Sequence, residues 1–170
     1  MSTGNAHPDP PDLRDAAAVA DLFRVAADAH RDCPLRRGST VHLPDQGHLL
    51  ATGDLHDHAL NFQRILNLAD LEANDRVQDD KAAARFLVLH EVIHGPDRIN
   101  GHDLSVRILA RCAHLKTRHP DHLHVLLSNH ELAQRRGEGI TKDGVSVVQA
   151  FDDGIDFLYG DDADDVREAV

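Results

Sequence analysis

Three short apolar segments alternate with amphipathic stretches through the middle of the chain, and this alternation leaves few folds open. The apolar segments are 47–52, 85–89 and 123–127, each of a length suited to a strand, and the first is expected to be buried. Helical periodicity separates them, over 59–69 and 101–118. A strand–helix–strand–helix–strand order is typical of a parallel sheet. The sequence therefore predicts an α/β fold with a β-α-β-α-β core.

The segments on either side of this core are predicted to be helical. Alanine-rich residues 12–30 carry apolar side chains at helical spacing, which indicates a surface helix. From Val145 onward the same spacing predicts a helical C-terminal tail, in which Asp161 or Asp162 caps a final short helix.

Length and composition fit one soluble domain. The chain has 170 residues, of which 41% are hydrophobic, enough for one core. Residues 1–11, rich in proline and small polar residues, are predicted to be a flexible leader, and 12–170 the domain. No apolar run approaches the roughly 20 residues of a membrane helix. No secretory signal is visible either, so a cytoplasmic location is expected.

The charge and the cysteine content limit which partners and which cellular compartment are expected. With 18 basic and 29 acidic residues, the net charge is -11, which disfavours nucleic acid and anionic membranes as partners. The two cysteines, Cys33 and Cys112, are too few for a disulfide framework. They are predicted to be buried thiols in a reducing compartment.

Each predicted strand is followed by a polar cluster of metal-binding residue types. The clusters are 53–58 (GDLHDH), 90–98 (HEVIHGPDR) and 128–131 (SNHE). The chain has 14 histidines, and none lies after His130. Because the carboxyl ends of parallel strands meet at one edge of a sheet, the three clusters are expected to converge there. His, Asp and Asn side chains together suit divalent ions.

Taken in order, the clusters resemble the signature of the calcineurin-like metallophosphoesterases, which include the serine/threonine phosphoprotein phosphatases. That signature runs GDxHG, GDxxDRG and GNH[DE]. Here Glu91 follows Asp54 by 37 residues and Asn129 follows Glu91 by 38, and the resemblance covers about 47–131. It implies the calcineurin-like fold, as a partial α/β/β/α sandwich, with 12–170 matching the N-terminal half of the family's domain.

The resemblance implies two divalent metal ions. Asp54 and His56 would hold the first and Asn129 the second, with Glu91 where the family has its bridging Asp. These ligand types serve manganese, iron, zinc and magnesium alike, so the metal is not specified. The activity implied is hydrolysis of a phosphorylated protein or small molecule by in-line attack of a metal-bound hydroxide.

Three further residues would carry the catalysis in this resemblance. His130 would protonate the leaving oxygen. If three residues are inserted after Glu91, Asp97 would orient that histidine and Arg98 would grip the phosphate, to which a guanidinium binds bidentately. The alternative for Asp97 and Arg98 is an ion pair in a surface turn.

The sequence also departs from the family pattern. Asp57 and Ser128 stand in place of glycines and Glu91 in place of an Asp. The family takes further histidine ligands from downstream of GNH[DE], where this chain has none. The gene product is then longer, the chain is a naturally shortened relative, or local histidines substitute, for which the candidates are His58, His90 and His94.

Two other functions stay open at this point. Residues 90–94 read HEVIH, a literal HExxH, which on a helix would place two zinc-binding imidazoles one turn apart, as in a zinc peptidase. Gly95 and Pro96 would end such a helix at once, and the other two clusters would be unexplained. The second is a noncatalytic metal-binding or protein-docking remnant.

Overall fold

The fold is known from a computed structural model that describes residues 12–76, 81–139, 141–142 and 144–170. The predicted leader, residues 1–11, lies outside the described residues. The strands are β1 (Arg36–Arg37), β2 (Thr40–Val41), β3 (His48–Asp54), β4 (Arg85–His90), β5 (Leu123–Leu126), β6 (Thr141–Lys142) and β7 (Val145–Ser146). The α-helices are α1 (Ala16–Arg31), α2 (Ala59–Ala69), α3 (Val106–Arg118), α4 (Asn129–Arg136), α5 (Val147–Tyr159) and α6 (Ala163–Ala169). Two 3-10 helices cover Leu71–Arg76 and Gly160–Asp162.

The centre of the fold is a parallel sheet in the order β3-β4-β5, with α2 following β3 and α3 following β4. The predicted α/β class and β-α-β-α-β core are therefore confirmed. The other described strands form two short antiparallel pairs, β1 with β2 and β6 with β7. The α/β/β/α sandwich stays a prediction.

The prediction that the first strand is buried is wrong. β3 lies at an edge of the sheet, and most of its residues are exposed, with Leu49 at 56%. Leu50, which points the other way, packs against the core. An apolar run of this length does not reveal whether one or both faces of a strand are covered.

Two clusters of apolar side chains hold the elements together. In the first, Leu87, Leu89 and Leu123 of the sheet pack against Phe62 of α2 and Ile108 of α3. The second cluster joins α1, α3, α5 and α6, and its members with exposures of 1% or less are Val19, Val106, Ala110, Phe151, Ile155 and Val166. Both predicted buried thiols are confirmed.

The helix after β4 begins later than its periodicity indicates, at Val106 rather than near residue 101. The side chain of Asp103 accepts a hydrogen bond from the backbone N–H of Ser105 at 2.9 Å, a local turn that competes with the helix. The backbone N–H of Asp103 donates instead to the carbonyl of Ala150 at 3.0 Å. This delayed start leaves Asp103 in a buried loop.

Residues 129–131 of the third polar cluster form the first turn of α4. Ser128 and Glu131 make a capping box, in which the side chain of each residue accepts a hydrogen bond from the backbone N–H of the other. The S-x-x-E spacing of 128–131 is the sequence signal for this helix start.

The helical tail is confirmed as α5 and α6 from Val147 onward, while Val145–Ser146, predicted to belong to it, form β7. Asp162 occupies the N-cap position of α6, but no side-chain capping hydrogen bond forms there. No helix within the described ranges has the length and apolar character needed to cross a membrane.

Candidate metal centre

The loops after β3 and β4 are joined by backbone hydrogen bonds at the carboxyl edge of the sheet. The N–H groups of Leu55 and His56 each donate to the carbonyl of Glu91 at 2.9 Å. The N–H of Asp57 donates to the carbonyl of Val92 at 2.8 Å. The first two polar clusters therefore converge, as the parallel sheet predicts.

Four residues of these loops have left-handed backbone conformations although none is glycine. The φ angles are +46° at His56, +55° at Asp57, +47° at Glu91 and +63° at His94. Such a conformation costs on the order of 1–3 kcal/mol per residue and persists only where the surroundings enforce it. The grouping of four such residues at one edge of the sheet is typical of a functional site.

The third cluster is held against the second by Glu131. Its Oε1 accepts hydrogen bonds from the backbone N–H groups of Val92 at 2.8 Å and Ile93 at 3.3 Å. Its Oε2 accepts from the N–H of Ser128 at 3.2 Å. Glu131 thus fixes the start of α4 beside the loop after β4, a structural role that the motif alone does not indicate.

The first group of potential metal ligands contains Asp54, His90 and Glu91. His90 Nδ1 lies 2.9 Å from Asp54 Oδ1 and 3.9 Å from Glu91 Oε2. One ligand atom from each residue lies within 4.8 Å of the other two. The group is open to solvent on the Asp54 side, where that side chain is 55% exposed.

The second group contains His56, Glu91 and His130, with ligand atoms again within 4.8 Å of one another. His130 Nε2 lies 3.1 Å and His56 Nε2 4.0 Å from Glu91 Oε1. His56 Nδ1 lies 3.2 Å from the carbonyl of Ile93, which is a donor–acceptor pair if Nδ1 carries the proton. That hydrogen bond would leave the lone pair of His56 Nε2 facing Glu91.

Glu91 belongs to both groups, and its environment favours a bound cation. Burial raises the pKa of Glu91, and the nearby Asp54 raises it further. A hydrogen bond from His90 lowers the pKa of Asp54. Within the described part of the chain, no Lys or Arg forms an ion pair with either carboxylate. A divalent ion would supply the missing positive charge.

The remaining predicted site residues are Asn129, Asp97 and Arg98. Asn129 is the exposed first residue of α4, next to His130. Asp97 is exposed and Arg98 half-buried in the loop before α3. No ion pair joins Asp97 to Arg98 in the described structure, so the surface ion-pair alternative finds no support.

Asp57, which stands in place of a signature glycine, is half-buried in a cluster of acids. Burial, followed by the charges of Asp103 and Asp97, raises the pKa of Asp57 to about 6, against an opposing effect of Arg107. Three carboxylates therefore lie around the loop that carries His94 and Gly95, close to the proposed ligands.

The alternative prediction of a helix through the HExxH residues 90–94 is wrong. β4 ends at His90, and the positive φ angles of Glu91 and His94 are incompatible with a helix through 90–94. The two histidines face different carboxylates, since His90 Nδ1 lies 2.9 Å from Asp54 and His94 Nδ1 3.0 Å from Asp103. They do not share a group of potential metal ligands in the described residues.

The sequence indicates His90 only as a substitute ligand and gives no sign of the buried Asp103. A histidine directly before Glu91 at the end of a strand was the available signal for His90. Asp103 lies inside an apparently helical segment and carries no motif, so nothing in the sequence marked it.

Comparisons with known proteins identify no relative. No family model, curated protein or solved structure matches this chain. The function is therefore inferred from the residues of the site and their geometry.

Proposed function

We propose that this chain is a metal-dependent phosphoester hydrolase similar to the phosphoprotein phosphatases, with a calcineurin-like fold. The observation that carries the proposal is the position of Glu91, one carboxylate that belongs to both groups of potential metal ligands. A carboxylate shared by two ions holds them close together, and two-ion hydrolases work with their ions about 3.5–4 Å apart. The substrate is a phosphorylated protein or small molecule.

The donor types fit two divalent ions. Asp54, His90 and Glu91 would hold one ion, and His56 and Glu91 the other, with Asn129 adding an amide oxygen. This arrangement differs from the family pattern, in which Asp54 and His56 share the first ion. His90 occupies the place beside Asp54, which supports the substitution of a local histidine for a downstream one.

The ions, when bound, supply Lewis acidity at the phosphoryl oxygens and activate water for in-line attack. The chain itself supplies the proton and the phosphate contact. His130, held with Nε2 at 3.1 Å from Glu91, protonates the leaving oxygen. Arg98, which is half-buried in the loop between β4 and α3, binds phosphoryl oxygens through its guanidinium.

Substituting Asp54→Asn tests this proposal. We expect the wild type to hydrolyse p-nitrophenyl phosphate and a phosphoserine peptide in a Mn²⁺-dependent way. The hydrolysis rate of the variant should be lower by more than about 100-fold. Even the partners of metal ligands are worth about 10–100-fold in affinity or activity, and a direct ligand is worth more. Initial rates with saturating Mn²⁺ and after chelation measure the effect.

The matched control is Asp21→Asn, an exposed aspartate of α1. It is expected to retain wild-type rates. Equal rates for the two variants would contradict the site. Mn²⁺ binding without hydrolysis of either ester by the wild type would identify the noncatalytic alternative.

A further inference from the structure

One face of the central sheet is partly uncovered next to the candidate metal centre. The helices α2 and α3 pack on the other face, where Leu87 and Leu89 of β4 are fully buried. Side chains alternate between the two faces of a strand, so Phe86, Val88 and His90 of β4 lie on the face away from these helices. This second face is covered more closely near the start of β4, since Phe86 is buried whereas Val88 and His90 are half-buried.

The strand register groups four apolar residues on the second face. Ala51 of β3 lies opposite Val88, and Leu126 of β5 lies opposite His90, two residues further along β4. Leu49 precedes Ala51 by two residues and therefore shares its face. Leu49 is 56% and Leu126 48% exposed, and Ala51 is exposed as well. Leu49, Ala51, Val88 and Leu126 together form an apolar patch.

The apolar patch continues into the first group of potential metal ligands. After the register shift in β3, Asp54 lies opposite His90 and so on the same face as the patch. His90 Nδ1 lies 2.9 Å from Asp54 Oδ1, and Leu126 is the neighbour of His90 on the other side, one strand spacing of about 4.8 Å away. A substrate whose phosphoryl group reaches an ion at Asp54 and His90 therefore also meets the apolar patch.

The size and the charge of the apolar patch fit one or two apolar side chains of a substrate. A standard interface between two proteins takes about 20–30 residues from each partner, and the patch has four. None of the four is charged, in a chain with a net charge of -11, so the patch does not suit an anionic surface. An apolar side chain that packs on it leaves water, which is favourable.

We propose that the apolar patch is a specificity surface of the metal centre, which binds an apolar side chain next to the phosphorylated residue of a protein substrate. The inference rests on the proposed function, and it selects phosphorylated proteins over small phosphoesters. In an extended substrate, side chains two residues apart point the same way and are about 6.6 Å from each other. The apolar residue is therefore expected two positions before or after the phosphoserine.

Binding of uncleavable peptides tests this surface without hydrolysis. The probes are two labelled peptides in which a phosphonate replaces the phosphate ester of phosphoserine. One has leucine two positions before and after the phosphonate, and the other has serine there. Fluorescence anisotropy with the Mn²⁺-loaded chain is expected to give a Kd about tenfold lower for the leucine peptide, because burial of even part of a leucine side chain has about this effect. Equal Kd values would overturn the inference.

Substitutions within the apolar patch are expected to remove the preference for leucine. In the double variant Leu49→Ser with Leu126→Ser, the ratio of the two Kd values should fall from about tenfold to about one. Both side chains are exposed, so the variant should fold as the wild type does. Leu68→Ser, at a leucine of α2 that is 68% exposed, is the matched control and should keep the ratio. An unchanged ratio in the double variant would overturn the inference.

Hydrolysis assays distinguish failure of this inference from failure of the proposed function. Hydrolysis of p-nitrophenyl phosphate by a wild type that binds neither peptide would refute the inference alone. A wild type that prefers the leucine peptide but hydrolyses neither p-nitrophenyl phosphate nor a phosphoserine peptide would refute the proposed function alone. Self-association of the wild type that is lost in the double variant, measured by sedimentation, would make the patch a subunit interface and overturn the inference.

Discussion

Replacing Glu91 with Gln is expected to remove both divalent ions at once, lowering the bound Mn²⁺ from two ions per chain to none. The carboxylate belongs to both groups of potential ligands, and the neutral amide that replaces it offers one oxygen and no charge. His56→Ala and His90→Ala, each in one group only, should remove one ion apiece. Elemental analysis after dialysis and calorimetric titration with Mn²⁺ measure the stoichiometry.

Loss of metal through unfolding is distinguishable from loss of a ligand. Burial raises the pKa of folded Glu91, so its charged form opposes folding, and this contribution to stability falls as the pH rises through that pKa. Glu91→Gln removes the effect, so the metal-free variant should be at least as stable at neutral pH as the metal-free wild type. Glu138→Gln, at a side chain 70% exposed, is the control and should keep two ions. One ion retained by Glu91→Gln would show that the carboxylate is not shared.

Replacing His130 with Asn is expected to slow hydrolysis of a phosphoserine peptide by roughly 10²–10⁴-fold, the usual contribution of a positioned proton donor. The serine alkoxide is a strong base and leaves slowly unless it is protonated. Nitrophenolate is stable near neutral pH, so the rate on p-nitrophenyl phosphate should fall far less. Steady-state kinetics on both esters, with Mn²⁺ content measured in the same preparations, make the comparison.

The results for His130→Asn distinguish three roles for this residue. Equal losses on the two esters together with lost Mn²⁺ would show that His130 is a metal ligand, which its 3.1 Å distance from Glu91 Oε1 also permits. Unchanged rates on both would place it outside the chemistry. Only the selective loss supports the role of proton donor.

The sequence predicts the central sheet because its strands are short apolar runs separated by helical periodicity. The convergence of Asp54, Glu91 and His130 follows from parallel strands, whose carboxyl ends share one edge. The exposure of β3 does not follow, since the apolar run 48–52 looks the same whether one or both faces are covered. Local sequence patterns therefore predict which segments form strands and helices better than they predict how far those segments are buried.

The details of the site depend on tertiary contacts that no spacing encodes. His90 reaches Asp54 only because β3 and β4 pair with Asp54 opposite His90 after a register shift. The His94–Asp103 pair depends on the left-handed backbone at His94 and on a turn that delays α3. The same left-handed geometry breaks the HExxH helix that the letters of 90–94 suggest.

Anomalous diffraction from crystals of the chain loaded with Mn²⁺ tests the two-ion site most directly. The account predicts two peaks about 3.5–4 Å apart, one on each side of the Glu91 carboxylate. The first should contact Asp54 and His90, and the second His56. A single peak, or two ions that do not share Glu91, would contradict the account.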